Sequence, residues 1–147
     1  MTGFRSRTLI RVIAVFAVTS VLAGCTSEES QRRFHVLQRD PFLDCHVAGV
    51  TPWINLDRID NSYDSANQIW VERDLHLIGS ASLAFAELTR CARKAGWSIT
   101  VPSYNPQSFE GHKRFEGRWT AIIQVFVGPD VFKGQPAVEM IIETSKV

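Results

Sequence analysis

Histidines and carboxylates are the side chains best able to move protons or hold metals near neutral pH, and this 147-residue chain scatters them. His46, His76 and His112 lie 30 and 36 residues apart, with His35 closer to the N-terminus. A zinc site on one helix needs a run such as H-E-x-x-H, which stacks two imidazoles on one face. The chain has no such run and no H-x-H. Asp57, Asp60 and Asp64 invite a calcium loop, which requires oxygens at positions 1, 3 and 5, glycine at 6 and glutamate at 12. Counting from Asp60, Ser62 and Asp64 fit, but Ser65 replaces the glycine and Val71 the glutamate. No G-x-S-x-G elbow activates a serine, and the glycines are too isolated to cradle a phosphate. The sequence thus predicts no catalytic residue, no metal and no cofactor.

Aromatic and basic residues concentrate in one stretch. Phe109-Glu110-Gly111 recurs as Phe115-Glu116-Gly117, with His112, Lys113 and Arg114 between the copies and Arg118-Trp119 after them. Such a mixture can contact an anionic polymer, lipid headgroups or a protein. Phe109, His112, Lys113, Arg114, Phe115 and Arg118 are therefore the candidate binding edge. The alternative is a connection between two strands, with Phe115 and Trp119 turned to the core. Trp53 and Tyr104, in loop-like contexts, are weaker candidates because aromatics also fill cores.

The N-terminus carries a different signal. Arg5, Arg7 and Arg11 precede an apolar segment at residues 12–21, and no acidic residue occurs before position 25. A segment of ten residues falls well short of the ~20 needed to span a bilayer as a helix. Leu22-Ala23-Gly24-Cys25 follows directly. Basic, apolar and small-residue regions in that order make an export signal, and the cysteine resembles the lipobox of bacterial lipoproteins. The helix–Gly–Trp–strand pattern further on is similar to those of small actinobacterial lipoproteins. The resemblance implies that residues 1–24 are removed and that Cys25 becomes an acylated first residue. It also implies a location on the outer face of the cytoplasmic membrane. Two or three acyl chains anchor stably where one is marginal. Polar residues 25–33 then read as the lipidated terminus and a flexible tether, and 34–147 as one domain.

Removing residues 1–24 takes three arginines and no acid, which leaves 123 residues with 13 basic and 15 acidic side chains, a net −2. A nucleic-acid binder would show a basic excess instead. With Cys25 acylated, Cys45 and Cys91 remain, and an even pair in an exported protein implies a disulfide. The bridge would close a loop of about 46 residues and contribute roughly 4 kcal/mol in the chain-entropy model.

These residues need elements to hold them. Ser80 is a good N-cap, and Phe85, Leu88, Ala92 and Ala95 recur at helical spacing with Cys91 beside them. Arg93 and Lys94 suit the C-terminal end of the dipole, and Gly96 a left-handed C′ position. One main helix is predicted at about 81–95. Strands are predicted at 97–101, 121–127 and 137–144, and further ones at 34–37 and 69–75; residues 57–67 read as a polar loop. The expected fold is α+β, a small antiparallel sheet of three to five strands packed on that helix.

The function expected is a membrane-tethered, non-catalytic domain that binds an envelope protein or cell-wall component, or supports an envelope assembly. The alternatives are a tethered hydrolase-like enzyme and a small-ligand carrier. Converging histidines and carboxylates in a cleft would favour the enzyme, and an apolar cavity the carrier.

Overall fold

The computed structural model describes residues 28–60, 68–101, 107–132 and 134–144. In chain order the elements are α1 (Glu28–Gln38), β1 (Val50–Asp60), β2 (Gln68–Leu77), α2 (Ala81–Lys94), β3 (Ser98–Thr100), β4 (Ser108–Phe115), β5 (Trp119–Phe132) and β6 (Gln135–Thr144). All six strands join one antiparallel sheet in the order β1-β2-β6-β5-β4-β3. The expectation of an α+β fold with three to five strands on one main helix is therefore corrected to a more β-rich one, with six strands and two helices among the described residues.

Strand alternation sorts the side chains onto two faces. Val125 of β5 stands opposite Phe109 of β4 and Met140 of β6, and Ile123 opposite Ile142. These residues form a single buried cluster with Ile69 and Val71 of β2, Leu37 of α1, and Ala84, Leu88 and Ala92 of α2. Both helices thus cover the same sheet face. Gly111 sits where β3 and β5 close in on β4. A Cβ there would lie 2.6 Å from Ile99 Cδ1 and 2.9 Å from Ile123 Cγ2, so only glycine fits.

Helix α2 matches its sequence signals. Ser80 Oγ accepts from the Leu83 amide at 3.4 Å. Gly96 has φ 88°, and its N–H and that of Trp97 donate to Arg93 O and Ala92 O, closing a Schellman motif.

The N-terminal half departs from expectation. Residues 34–37, predicted as strand, lie in α1, where Leu37 is buried and Phe34 packs on the core three residues away. Three apolar residues in a run of four fit either period, and the packing of Phe34 and Leu37 into the core from one helical face decides; Glu29 adds surface pairs with Arg32 and Arg33, its i+3 and i+4 neighbours. Residues 28–33, expected in a tether, are the first turns of this helix. Residues 57–60, expected in a loop, belong to β1, which forms one end of the sheet order. A strand with one neighbour tolerates polar residues and the proline at 52; the ladder shifts register between Pro52 and Ile54. Residues 108–115, weighed as a connection, form β4.

Candidate functional site

The segment after α1 is held by a buried carboxylate. Asp40 Oδ1 accepts from the Phe42 amide and from Trp97 Nε1, each at 3.0 Å, while Oδ2 accepts from Lys113 Nζ at 2.6 Å. The same ammonium donates to Ala95 O at 2.7 Å and lies over the rings of Trp97 and Phe115 at 5.6 and 5.0 Å. The Asp40 side chain is fully buried and that of Lys113 is 19% exposed. A buried ion pair is favourable only when its remaining hydrogen-bonding capacity is met, and here both partners have further ligands. This clamp joins the end of α1 to the C-terminus of α2 and to β4.

Beyond the clamp, residues 43–47 form one wall of a cleft of about 300 Å³. Val50, Pro52 and Asn55 of β1 line it, with Arg73 and Leu75 of β2 and Met140 of β6. The wall is fixed by the Cys45–Cys91 disulfide, whose Cα atoms are 6.3 Å apart and which ties this segment to α2. His46 projects into the cleft lining and its Nδ1 lies 3.0 Å from Asp44 O. Arg73 forms a two-pronged pair with Asp57, one contact being 3.1 Å, and donates to Glu72 O at 2.8 Å. Gln38 Nε2 also donates to Asp57, at 2.9 Å. Burial raises the Asp57 pKa, but the hydrogen bonds from Arg73 and Gln38 and the Arg73 charge outweigh it, so the carboxyl sits below its ordinary range. The cleft therefore combines apolar walls with a few fixed polar groups, the usual composition of a small binding site.

The second sheet face, away from the helices, gathers acids. Glu72 and Asp74 of β2 and Glu139 of β6 place one oxygen each within 4.8 Å of one another. Asp74 is fully buried, and Trp70 Nε1 donates to Glu72 at 2.6 Å. Burial first, then the charges of Glu72 and Asp74, pushes the Glu139 pKa up. Three side-chain oxygens are half or fewer of the six to eight that Ca²⁺ takes, so the trio alone does not complete a coordination sphere. Nearby, Trp53 stacks on His76 with centroids 4.1 Å apart, and Arg58 lies over Trp70 at 5.2 Å.

The histidines do not converge. His46 lines the cleft, His76 stacks on Trp53, and His112 of β4 lies 3.1 Å from Glu110. The expected binding edge divides by strand alternation. Phe109 and Phe115 are core residues, the latter stacked on Trp119 at 4.6 Å. Lys113 belongs to the Asp40 clamp. His112, Arg114 and Arg118 remain exposed. Of the aspartates, Asp57 is engaged by Arg73 and Asp60 ends β1. Asp64, Tyr104, Cys25 and residues 1–24 lie outside the described residues. Sequence reasoning missed Asp40, Arg73 and the acidic trio. The trio's spacing of 2 and 65 residues is no motif, and only the pairing of Asp74 with Glu139 across β2 and β6 brings it together.

No protein-family model matches the chain, and no curated protein or solved structure matches it.

Proposed function

We propose that the mature chain is a lipid-anchored domain of the bacterial cell envelope, held by acyl groups on Cys25, that binds an envelope protein or cell-wall component without catalysing a reaction on it. The observation that carries this reading is the Cys45–Cys91 bond. Disulfides persist in oxidising compartments outside the cytoplasm, which is where the Leu22-Ala23-Gly24-Cys25 sequence would deliver the protein. The bond supports an exported location, the one that the N-terminal signal also calls for.

The cleft beside residues 43–47 is the binding site of this reading. Its wall is clamped by the disulfide and by the Asp40 network, so little ordering would accompany binding. The separation of His46, His76 and His112 supports binding over hydrolysis. The cleft's volume, about 300 Å³, lies at the lower end of ligand pockets. This keeps a second reading, a small-ligand carrier, beside the first.

Expression of Cys25→Ala in the producing bacterium tests the anchor. A precursor longer by 24 residues, with no acyl mass, is expected. Normal cleavage of that variant would overturn the reading. A photoreactive residue replacing His46 tests the site: it should cross-link an envelope component in intact cells, while the same residue at exposed Arg90 should not. Equal labelling from both positions would remove the cleft from the proposal.

A further inference from the structure

A lipid anchor fixes one point of the chain at the bilayer, and the geometry around α1 determines which surface then meets the lipid. This step rests on the anchored reading above. Cys25 and Glu28, the first residue of α1, are three Cα–Cα steps apart, at most about 11 Å at 3.8 Å per step. So short a link cannot hold the domain away from the membrane. Nor does α1 swing freely, because Leu37 is buried in the core and Phe34 packs against it.

The start of α1 is held against one end of the sheet. Arg32 bridges Glu29 to Glu116, in the turn between β4 and β5, and Arg33 lies over Trp119 at 5.4 Å. Arg32 is four residues from Glu28, about 6 Å along the helix axis. Turn 116–118 is therefore among the folded parts closest to the anchor. The Gly128–Ala137 pair lies toward the far end of the sheet, seven residues along β5 from the Ala121–Thr144 pair beside this turn. That is about 23 Å of strand. The cleft residues Val50 and Leu75 and the exposed Ile78 belong to the far end, since Val50 pairs with Leu77 and Leu75 with Val138.

Charge at the near end favours an anionic surface. Arg32 and Arg33 engage Glu29, and Arg32 also Glu116. Arg114 and Arg118 are exposed and enter no ion pair among the described residues. Glu28, exposed in the first turn of α1, and Glu143, which pairs with Ile122 at this end of the sheet, oppose them, while Arg58 at the same level of β1 adds a third cation, so a small positive excess remains. We infer that turn 116–118 rests on the bilayer, with Arg114 and Arg118 meeting anionic lipid headgroups, and that the cleft opens away from the membrane. The expected loss is about fivefold in the ratio of apposed to upright orientations for each arginine replaced by a neutral residue, the scale of one cation at an anionic surface.

The test uses the full processed chain reconstituted into phosphatidylcholine vesicles with and without phosphatidylglycerol, containing a lipid with a gadolinium-chelating headgroup. Paramagnetic broadening should be strongest at amides 114–118 and weak at 76–83, and stronger in the phosphatidylglycerol vesicles. In Arg114→Gln/Arg118→Gln the dependence on phosphatidylglycerol should vanish. Uniform broadening, or broadening strongest at 76–83, in protein whose intact mass carries the acyl groups would overturn the orientation and leave the anchor standing. Equal broadening at 114–118 in both vesicle types would overturn the role of the two arginines. Protein lacking the acyl mass would overturn the anchored reading, and this inference with it.

Discussion

Two fully buried aspartates serve one sheet, and their surroundings have opposite character. On the helix face, Asp40 meets an ammonium, an indole N–H and an amide, so its charge is neutralised inside the fold. On the other face, Asp74 lies within reach of Glu72 and Glu139, and like charges are gathered. The first arrangement belongs to architecture: it locks α1, α2 and β4 together. In the second, burial first and then the charges of Glu72 and Asp74 raise the proton affinity of Glu139. Burial of a carboxylate therefore has no single meaning here; its neighbours decide what it does.

Removing one partner of the clamp is the strongest test of that contrast. Asp40→Ala leaves the Lys113 ammonium largely buried between two aromatic rings without its counter-charge. Breaking a buried pair in this way costs about 3–5 kcal/mol, which urea unfolding would register. Asp40→Ala/Lys113→Met removes the stranded charge and should recover much of the loss, as a double-mutant cycle would report. If the double variant were as unstable as the single one, packing around Asp40 and not charge would be the cause.

The disulfide comes next. Reducing Cys45–Cys91 should lower stability by about 4 kcal/mol, because the open chain regains the entropy of a loop of about 46 residues. The loss should be accompanied by faster hydrogen exchange, greatest in residues 43–47, which lose their tether to α2, and smaller in β4 and β5, which the bond does not touch. Equal loosening of both regions would mean that the bond acts only on the unfolded chain.

The parts of this molecule that sequence made legible are local. Ser80, Gly96 and the apolar spacing between them define α2 because caps and helical periodicity act over a few residues. Cysteine parity identified the Cys45–Cys91 bond, given an exported chain. Strand β6 alternates apolar and acidic residues, and β5 is an apolar run broken at Gly128-Pro129. The rest depends on partners distant in sequence. Residues 57–60 of β1 read as a loop because Asp57 and Arg58 find their partners only once β2 is placed, with Arg73 against Asp57 and Trp70 under Arg58. Lys113 reads as a surface cation until Asp40, 73 residues earlier, is placed against it. Phe109 and Phe115 look like part of a basic binding patch until alternation turns them inward, leaving His112 and Arg114 on the opposite face. The Glu72–Asp74–Glu139 group is invisible before strand order is known.

Acid titration sharpens the comparison at lower amplitude. Asp57, held below its ordinary range by Arg73 and Gln38, contributes stability that is present above the unfolded value of about 3.9 and is lost as pH falls through the lower folded value. Asp57→Asn should flatten that acid limb and cost less than about 1 kcal/mol at neutral pH, because solvent screens a partly exposed pair. An unchanged acid limb would show that Arg73 does not hold the charge of Asp57 in solution.

Glu139 should behave in the opposite sense. Its folded pKa is raised by burial and by the charges of Glu72 and Asp74, so the native state holds its proton more tightly than the unfolded chain does. Its contribution is therefore fully favourable below the ordinary glutamate value of about 4.3 and is lost as pH rises through the higher folded value. Glu139→Gln removes that loss, and should melt slightly higher than wild type at neutral pH and no higher at pH 4. The gain is at most about 1 kcal/mol, since the group is only partly buried. A variant that melts lower at both pH values would mean that the Glu139 carboxylate is stabilised where it stands. In that case the gathered acids would be balanced by charge from outside the trio, and the contrast with the Asp40 clamp would be one of partner rather than of principle.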